Sequence, residues 1–266
     1  LLDDYVSVAK AARPHGVIIR TLDAGGDKLP TSIQHGTEHN PFLGWRGIRV
    51  CLEESEMFQT QLRAILRASA NGQVSIMFPL VSSLEEVLAA KECLEEAKAS
   101  LRSQGIPFDE AIPVGVMIEV PSAVMIADVL AREVDFFSIG TNDLVQYTIA
   151  VDRVNERVAG LYAPHHPAIV RMIKRVADAA AERGIWAGVC GEMAGDVLST
   201  PLLLGLGITE LSVSPGQILP VKRAVRALNR GECQQFAAEM LQQTTVEAIS
   251  TRCRELAMSR YPELLT

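Results

Sequence analysis

Two kinds of apolar segment alternate along this chain. Short, continuously apolar runs predict strands that are buried on both faces, and longer segments with apolar residues three or four positions apart predict helices. Strands that alternate with helices pair in parallel, because each helix carries the chain back across the sheet. The pattern therefore predicts an α/β fold. Seven strand signals occur, near residues 18, 49, 76, 116, 137, 188 and 212.

Capping signals mark several predicted helices. Ser82 or Ser83 precedes two glutamates, which predicts that a helix begins there and runs to Arg102. A second helix is predicted over 167–183, because Pro167 favours a first turn and Gly184 favours a stop. Helices over 220–230 and 234–259 close the chain. We interpret residues 1–266 as one domain whose C-terminal helices occupy 220–262.

Composition narrows the class of protein. Of the 266 residues, 48% are hydrophobic and 21% are charged, which is ordinary for a globular enzyme. The formal net charge of −7 and the lack of a basic stripe argue against a nucleic-acid-binding protein. No apolar run reaches the roughly 18 residues that a membrane helix needs, so no membrane insertion is expected. Five cysteines without CxxC spacing indicate neither a zinc site nor a disulfide scaffold, which fits the cytoplasm.

Two acidic residues follow predicted strands. Glu119 ends the run 114–118, and Asp143 follows the run 136–140 about one strand–helix unit later. If these strands are neighbours, the two acids are separated laterally by about 4.8 Å. Carboxylates so placed can share Mg²⁺ or Mn²⁺. Alternatively, each acid caps the helix that follows it, and Asp143 in particular could do so.

Three arginines occur in unusual loop positions. Arg20 directly follows a predicted strand, Arg46 lies in an Asn-Pro-Phe-Leu-Gly-Trp-Arg loop, and Arg153 lies in an irregular stretch. Arginine is suited to bidentate contacts with phosphate and carboxylate groups, although a lone surface arginine is usually only solvated. Together with a cation, the three suit a small, multiply charged anion. A turn over 25–28 could present backbone N–H groups but lacks the spacing of a known phosphate loop.

Cys190 ends a predicted strand, at the position where parallel barrels carry catalytic groups. Its thiol could donate a proton to a carbanion or enolate. The alternative is an inert buried cysteine, which is how we interpret the other four cysteines. None of the five histidines has a partner pattern that indicates catalysis, and His165-His166 is a weak metal signal.

The chain closely resembles the C-terminal, phosphoenolpyruvate-binding domain of enzyme I of the bacterial phosphotransferase system. The similarity covers nearly the whole chain. It rests on six motifs in the same order as in that family, at residues 19–28, 40–46, 115–121, 135–144, 150–153 and 189–196.

The resemblance implies a (β/α)₈ TIM barrel and a role for each matching residue. Substrate would be bound by Arg20, Arg46, Asn142, Asp143 and Arg153. Glu119, together with Asp143, would hold Mg²⁺, and Cys190 would protonate the enolate at C3 to give pyruvate. Loss of the phosphoryl group leaves an enolate, whose charge arginines and a cation stabilise.

The resemblance also implies partners. In the family, the phosphoryl group passes to a histidine in a separate N-terminal domain and then to an HPr-like carrier, and the domain forms a homodimer. This sequence contains no such phosphohistidine domain, and it lacks a barrel strand found upstream in the family. We therefore expect a barrel without its first strand that binds phosphoenolpyruvate but does not complete transfer alone. Residues 210–216 are also similar to multiphosphoryl transfer relatives.

Two alternatives remain open at this point. The first is a domain of the pyruvate phosphate dikinase or phosphoenolpyruvate synthase type, which shares the barrel. The second is a non-catalytic dimerisation module, against which the intact site residues argue.

Overall fold

A computed structural model describes residues 1–24 and 38–265. They fall into two compact units. Unit 1 contains Leu1–Met117 and Glu133–Asp135, and unit 2 contains Ile118–Arg132 and the chain from Phe136 onward. The turn predicted over 25–28 lies outside the described residues.

Unit 1 is built on three parallel strands. β1 (Val17–Arg20) pairs with β2 (Val74–Phe78), and β2 pairs with β3 (Val114–Ile118), whose last residue belongs to unit 2. The helices of this unit are α1 (Leu2–Ala11), α2 (Ile48–Glu53), α3 (Ser55–Ser69) and α4 (Leu84–Ser103).

The core of unit 1 follows from the apolar stripe of α3. Phe58, Leu62 and Ile65 repeat at helical spacing and are fully buried, and α3 packs against α1 and α4. Phe58 meets Phe78 of β2 edge to face, with ring centroids 6.1 Å apart. Burying each such side chain contributes about 1.5–3 kcal/mol. The predicted start of α4 is confirmed, because Ser83 forms a capping box with the third residue of the helix.

Unit 2 also contains a parallel sheet. β4 (Phe136–Gly140) pairs with β5 (Trp186–Cys190), which pairs with β6 (Glu210–Leu211). Phe136 and Trp186 stack with their ring centroids 4.5 Å apart. The helices of this unit are α5 (Pro121–Met125), α6 (Ala127–Leu130), α7 (Thr141–Ile149), α8 (Pro167–Arg183), α9 (Glu192–Gly195), α10 (Thr200–Leu206), α11 (Ile218–Arg226), α12 (Arg230–Leu241) and α13 (Val246–Arg260).

The parallel pairing of strands is confirmed in both units, but two predicted elements are wrong. The strand predicted near residue 49 is the helix α2, so six strands rather than seven occur in the described residues. Ile48 and Cys51, three positions apart, are both fully buried, and this spacing fits a helix. The single helix predicted over 234–259 is two helices, because Thr245 caps α13 as a new start.

Candidate active site

The acid pair, Glu119 and Asp143, lies within unit 2. Glu119 directly follows β3, and Asp143 lies in the first turn of α7, which begins as soon as β4 ends. Ligand oxygens of the two side chains lie within 4.8 Å of each other, and the residues are only 3% and 5% exposed. The position in the first turn of a helix favours a negative charge at Asp143, in agreement with the alternative that this acid only caps α7. That alternative explains neither the burial of Glu119 nor the short distance between the two acids.

Arg153 lies beside the acid pair. Its Nη2 is 3.9 Å from Oδ1 of Asp143, which is beyond hydrogen-bonding distance. Its Nε is buried and has no hydrogen-bond partner among the described residues. The backbone N–H of Arg153 donates to Gln146 Oε1 at 3.1 Å, and Gln146 is itself buried in α7. Arg153 is thus fixed at its backbone, while its guanidinium keeps a buried donor that an anion would satisfy.

The donor chemistry of the acid pair fits a hard divalent cation. Carboxylate oxygens are the ligands that Mg²⁺ prefers, and it is bound through one or two carboxylates with water or substrate oxygens in the remaining positions. Two buried carboxylates at this separation repel each other, and a cation between them would offset that repulsion.

Cys190 ends β5 beside the start of α7. Gly140 is its register partner on β4, and the hydroxyl of Thr141 donates to the Cys190 carbonyl at 2.8 Å. The thiol of Cys190 is half-buried and donates to the carbonyl of Ile139 at 3.6 Å. A neutral thiol is the donor in such a contact and is also the form that can give up a proton.

Asn142 fixes the segment that follows Cys190. Its Oδ1 accepts a hydrogen bond from the backbone N–H of Glu192 at 3.0 Å. Gly191, which lies between Cys190 and Glu192 in the sequence, has a φ of +92°. A Cβ at this position would lie 2.8 Å from both Asn142 Oδ1 and Thr141 Oγ1. Only glycine fits this position without strain. An open groove of about 540 Å³ adjoins it, lined by Asn142, Gly191, Glu192, Gly195, Asp196, Ser212, Ser214 and Gln217.

Tyr162 is a member of this site that the sequence did not indicate. Its hydroxyl lies 3.5 Å from the carbonyl of Asn142. Burial, assisted by the carboxylate of Glu192 and opposed by Arg153, raises the pKa of Tyr162 to about 12. The hydroxyl therefore stays protonated and can act as a donor. The residue lies at the end of the stretch 141–162, whose hydrophobic pattern predicted no clear element.

In unit 1, the sequence-predicted arginines Arg20 and Arg46 meet at one carboxylate, and we call them the arginine pair. Arg46 donates to both oxygens of Asp23, at 2.9–3.2 Å, and Nη1 of Arg20 lies 3.3 Å from Oδ2. The side chain of Asp23 is only 5% exposed, and the residue was not predicted. Two guanidinium groups and one carboxylate leave a net positive charge, which suits an anion.

The loop before Arg46 is held by polar contacts. Trp45 donates through its backbone to Glu38 at 2.8 Å and through its indole to Glu53 at 2.7 Å. Gly47, which follows Arg46, has a φ of +59°, and a Cβ there would approach Leu80 Cβ to 2.8 Å. Residues 40–47 therefore form a loop of defined conformation that orients the Arg46 side chain toward Asp23.

The chain is similar to known proteins over most of its length. The family model described as "PEP-utilising enzyme, PEP-binding domain" matches residues 1–230. Phosphoenolpyruvate-protein phosphotransferase of Staphylococcus carnosus is 48% identical over 245 residues, which cover 92% of this chain and 43% of that protein. The Bacillus subtilis protein of the same name is 49% identical over 253 residues, covering 95% and 44%. The chain therefore spans less than half the length of these relatives.

Solved structures bear on the fold. The magnesium and glyoxylate complex of Haloferax volcanii malate synthase has a TM-score of 0.55 at 13% identity, covering 98% of this chain and 76% of that one. At this identity the likeness shows the fold alone, and it confirms the predicted TIM-barrel class. Among the described residues, no helix is both long and apolar enough to cross a membrane.

Proposed function

Because the chain belongs to the family of phosphoenolpyruvate-binding domains of phosphoenolpyruvate-utilising enzymes, we propose that it binds phosphoenolpyruvate with Mg²⁺ and serves phosphoryl transfer from it. The predicted family membership is confirmed by the family match and by relatives named phosphoenolpyruvate-protein phosphotransferase. That shared name favours phosphoryl transfer to a protein over a dikinase-type reaction. The observation on this chain that supports the proposal best is the buried acid pair beside Arg153.

The substrate carries a phosphate and a carboxylate. We assign these groups to the arginine pair, Arg153 and Asn142, with Asp143 near the phosphate through the cation. Guanidinium groups bind both anions in bidentate fashion, and the buried Nε of Arg153 supplies a donor that such an anion would satisfy. The resemblance to enzyme I supports a substrate-binding role for each of these residues.

Glu119 and Asp143 are proposed to hold the cation. When bound, Mg²⁺ would supply positive charge to the phosphate and to the enolate oxygen. The protein contributes the pre-placed carboxylates and their burial, which strengthens charge interactions by excluding water.

Cys190 is the proposed proton donor. When the bond between phosphorus and the enol oxygen breaks, the electron pair stays on that oxygen and forms the enolate. The C3 carbon then takes the proton of the Cys190 thiol, which gives pyruvate and leaves a thiolate that solvent reprotonates. The half-buried thiol at the end of β5, which lies within hydrogen-bonding distance of the Ile139 carbonyl, supports this role.

The remaining steps are proposed from the family alone. The phosphoryl group would pass to a histidine of a separate N-terminal domain and then to an HPr-like carrier, in the phosphotransferase system that serves sugar uptake. A homodimer is proposed on the same ground. We propose the cytoplasm as the compartment, which suits five cysteines of which none forms a disulfide.

Proton exchange on pyruvate tests the proposal with this chain alone. In D₂O with Mg²⁺, the thiolate of Cys190 would remove a C3 proton, and a deuteron would return to the enolate. Proton NMR should therefore show the pyruvate methyl signal fading faster with the wild-type chain than with buffer and Mg²⁺. Cys190→Ala should reduce the exchange to the background rate while pyruvate still binds.

A matched control is Cys93→Ala, which removes the other half-buried thiol and should leave the exchange rate unchanged. Exchange that persists in Cys190→Ala would exclude that cysteine as the proton carrier. A wild-type chain that neither binds phosphoenolpyruvate nor exchanges pyruvate would instead favour a dimerisation module.

A further inference from the structure

A partly buried polar chain runs from α13 to the segment that follows Cys190. Ser199 donates its hydroxyl proton to Asp196 Oδ2 at 2.8 Å, since a carboxylate can only accept. Nε2 of His165 lies 2.8 Å from Ser199 Oγ, and Nδ1 lies 3.0 Å from Ser250 Oγ. We call these four residues, Ser250, His165, Ser199 and Asp196, the histidine relay.

The direction of each hydrogen bond follows from this order. Because the proton of Ser199 is committed to Asp196, His165 must donate to Ser199 through Nε2. Its Nδ1 is then unprotonated and accepts from Ser250. Every donor therefore points toward the carboxylate of Asp196, an arrangement in which successive bonds polarise one another. Burial lowers the pKa of His165, with the Asp196 carboxylate opposing, which agrees with a neutral ring.

Asp196 is the far end of the segment that Cys190 begins. Its backbone N–H donates to the Glu192 carbonyl at 3.2 Å, closing the single turn of α9. Its Oδ1 accepts from the backbone of Leu198 at 2.9 Å. The near end of the segment is held by Asn142, whose Oδ1 accepts from Glu192. The residues after Cys190 are thus fixed at both ends.

The C-terminal helices add a second tie to the same turn. Tyr261, directly after α13, is fully buried and donates its hydroxyl to the carbonyl of Val197 at 2.9 Å. Ser250 and Tyr261 both lie beyond residue 230, where the family match ends. Tyr261 therefore reaches residues 196–199 directly, and Ser250 reaches them through the ring of His165.

We propose that His165 is a positioning residue, which through Ser199 and Asp196 holds the segment 190–196 so that the Cys190 thiol keeps its place beside Ile139. Its relevance to proton transfer rests on the proposed function, but the restraint itself does not. The relay also gives α13 a structural role, because Ser250 on this helix fixes the orientation of the His165 ring.

The test is the alkylation of Cys190 relative to Cys93 by iodoacetamide, read by peptide mass spectrometry. The other three cysteines are buried, so Cys93 serves as an internal reference in the same molecule. Ser199→Ala separates His165 from Asp196 and should raise the Cys190:Cys93 ratio at least threefold. His165→Gln keeps one donor and one acceptor, the N and O of its side-chain amide, and should leave the ratio within twofold of wild type.

Ser69→Ala is the matched control, because Ser69 is also buried and makes two backbone hydrogen bonds, but in unit 1. It should lower the melting temperature without changing the ratio. An unchanged ratio in a folded Ser199→Ala chain would overturn the proposal. If that variant does not fold, Ser250→Ala, which removes only the outermost donor, must raise the ratio or the proposal falls.

A second readout connects the relay to the reaction. Ser199→Ala should lower the rate of pyruvate proton exchange at least fivefold while the affinity for phosphoenolpyruvate stays within threefold. Since alkylation needs no substrate, a raised ratio without any phosphoenolpyruvate binding would support the restraint and count against the proposed function. Normal binding with an unchanged ratio would count against the restraint alone.

Discussion

Replacing Glu119 by Gln should remove most of the stabilisation that Mg²⁺ gives to the folded chain in the presence of phosphoenolpyruvate. Ligand oxygens of Glu119 and Asp143 lie within 4.8 Å of each other in a buried setting. At an effective dielectric constant of about 20, opposite unit charges at that distance attract by about 3.5 kcal/mol. Gln keeps the shape but loses the negative charge that attracts the cation. Loss of even this much attraction weakens cation binding roughly 300-fold.

Thermal unfolding of the 266-residue chain measures the effect. A Mg²⁺ concentration about 100 times the dissociation constant stabilises the wild-type chain by about 2.7 kcal/mol. That corresponds to a rise in melting temperature of roughly 5–11 °C for a domain of this size. At the same concentration, an affinity weakened about 300-fold leaves about 0.2 kcal/mol, which shifts the melting temperature by less than about 1 °C.

Glu210→Gln is the matched control for this experiment. Glu210 lies on β6 in the same unit, and burial raises its pKa, so the substitution also neutralises a partly buried carboxyl group. It should leave the Mg²⁺-dependent shift at its wild-type size. A shift in Glu119→Gln as large as that of wild type would refute the electrostatic reasoning about the acid pair.

Three further predictions concern unit 2. Arg153→Lys keeps the charge but loses the bidentate fork, and it should weaken phosphoenolpyruvate binding about 10- to 100-fold by calorimetry, whereas Arg171→Lys on α8 should not. Gly191→Ala should lower the unfolding free energy in urea by more than Gly184→Ala, whose cost is about 1–2 kcal/mol, because only the former adds a clash to a positive φ. Burial lowers the pKa of His165 from 6.5. As the pH falls below 6.5, the unfolded chain therefore binds a proton at this histidine that the folded chain does not bind. The unfolding free energy of the wild-type chain should then fall more steeply with decreasing pH than that of His165→Gln.

Local signals in the sequence predicted the elements that depend on local chemistry. The cap at Ser83 and the stop at Gly184 were predicted because a hydroxyl at a helix start and a glycine with positive φ at a helix end act within one turn. The segment Ile48–Cys51 was predicted wrongly as a strand. A short apolar run fits a buried strand as well as a helix, and only its surroundings decide.

The site was predictable to the extent that strand ends carry its residues. Glu119 and Cys190 were indicated by their positions at the ends of apolar runs, and strands end at these points in the structure. Asp23 and His165 were not predicted as polar centres, because Arg46 lies 23 positions from Asp23 and the two serines that contact His165 lie 34 and 85 positions away. The hydrogen bond between His165 and Ser250 joins residues 85 positions apart, which no local signal indicates.

The most direct test of the central claim is a calorimetric titration of phosphoenolpyruvate into this chain with Mg²⁺ and again with the cation removed by chelation. Binding that occurs with Mg²⁺ and weakens at least tenfold without it is the predicted result. The same affinity under both conditions would contradict a cation held by Glu119 and Asp143. Absence of binding under both would contradict the proposed function itself.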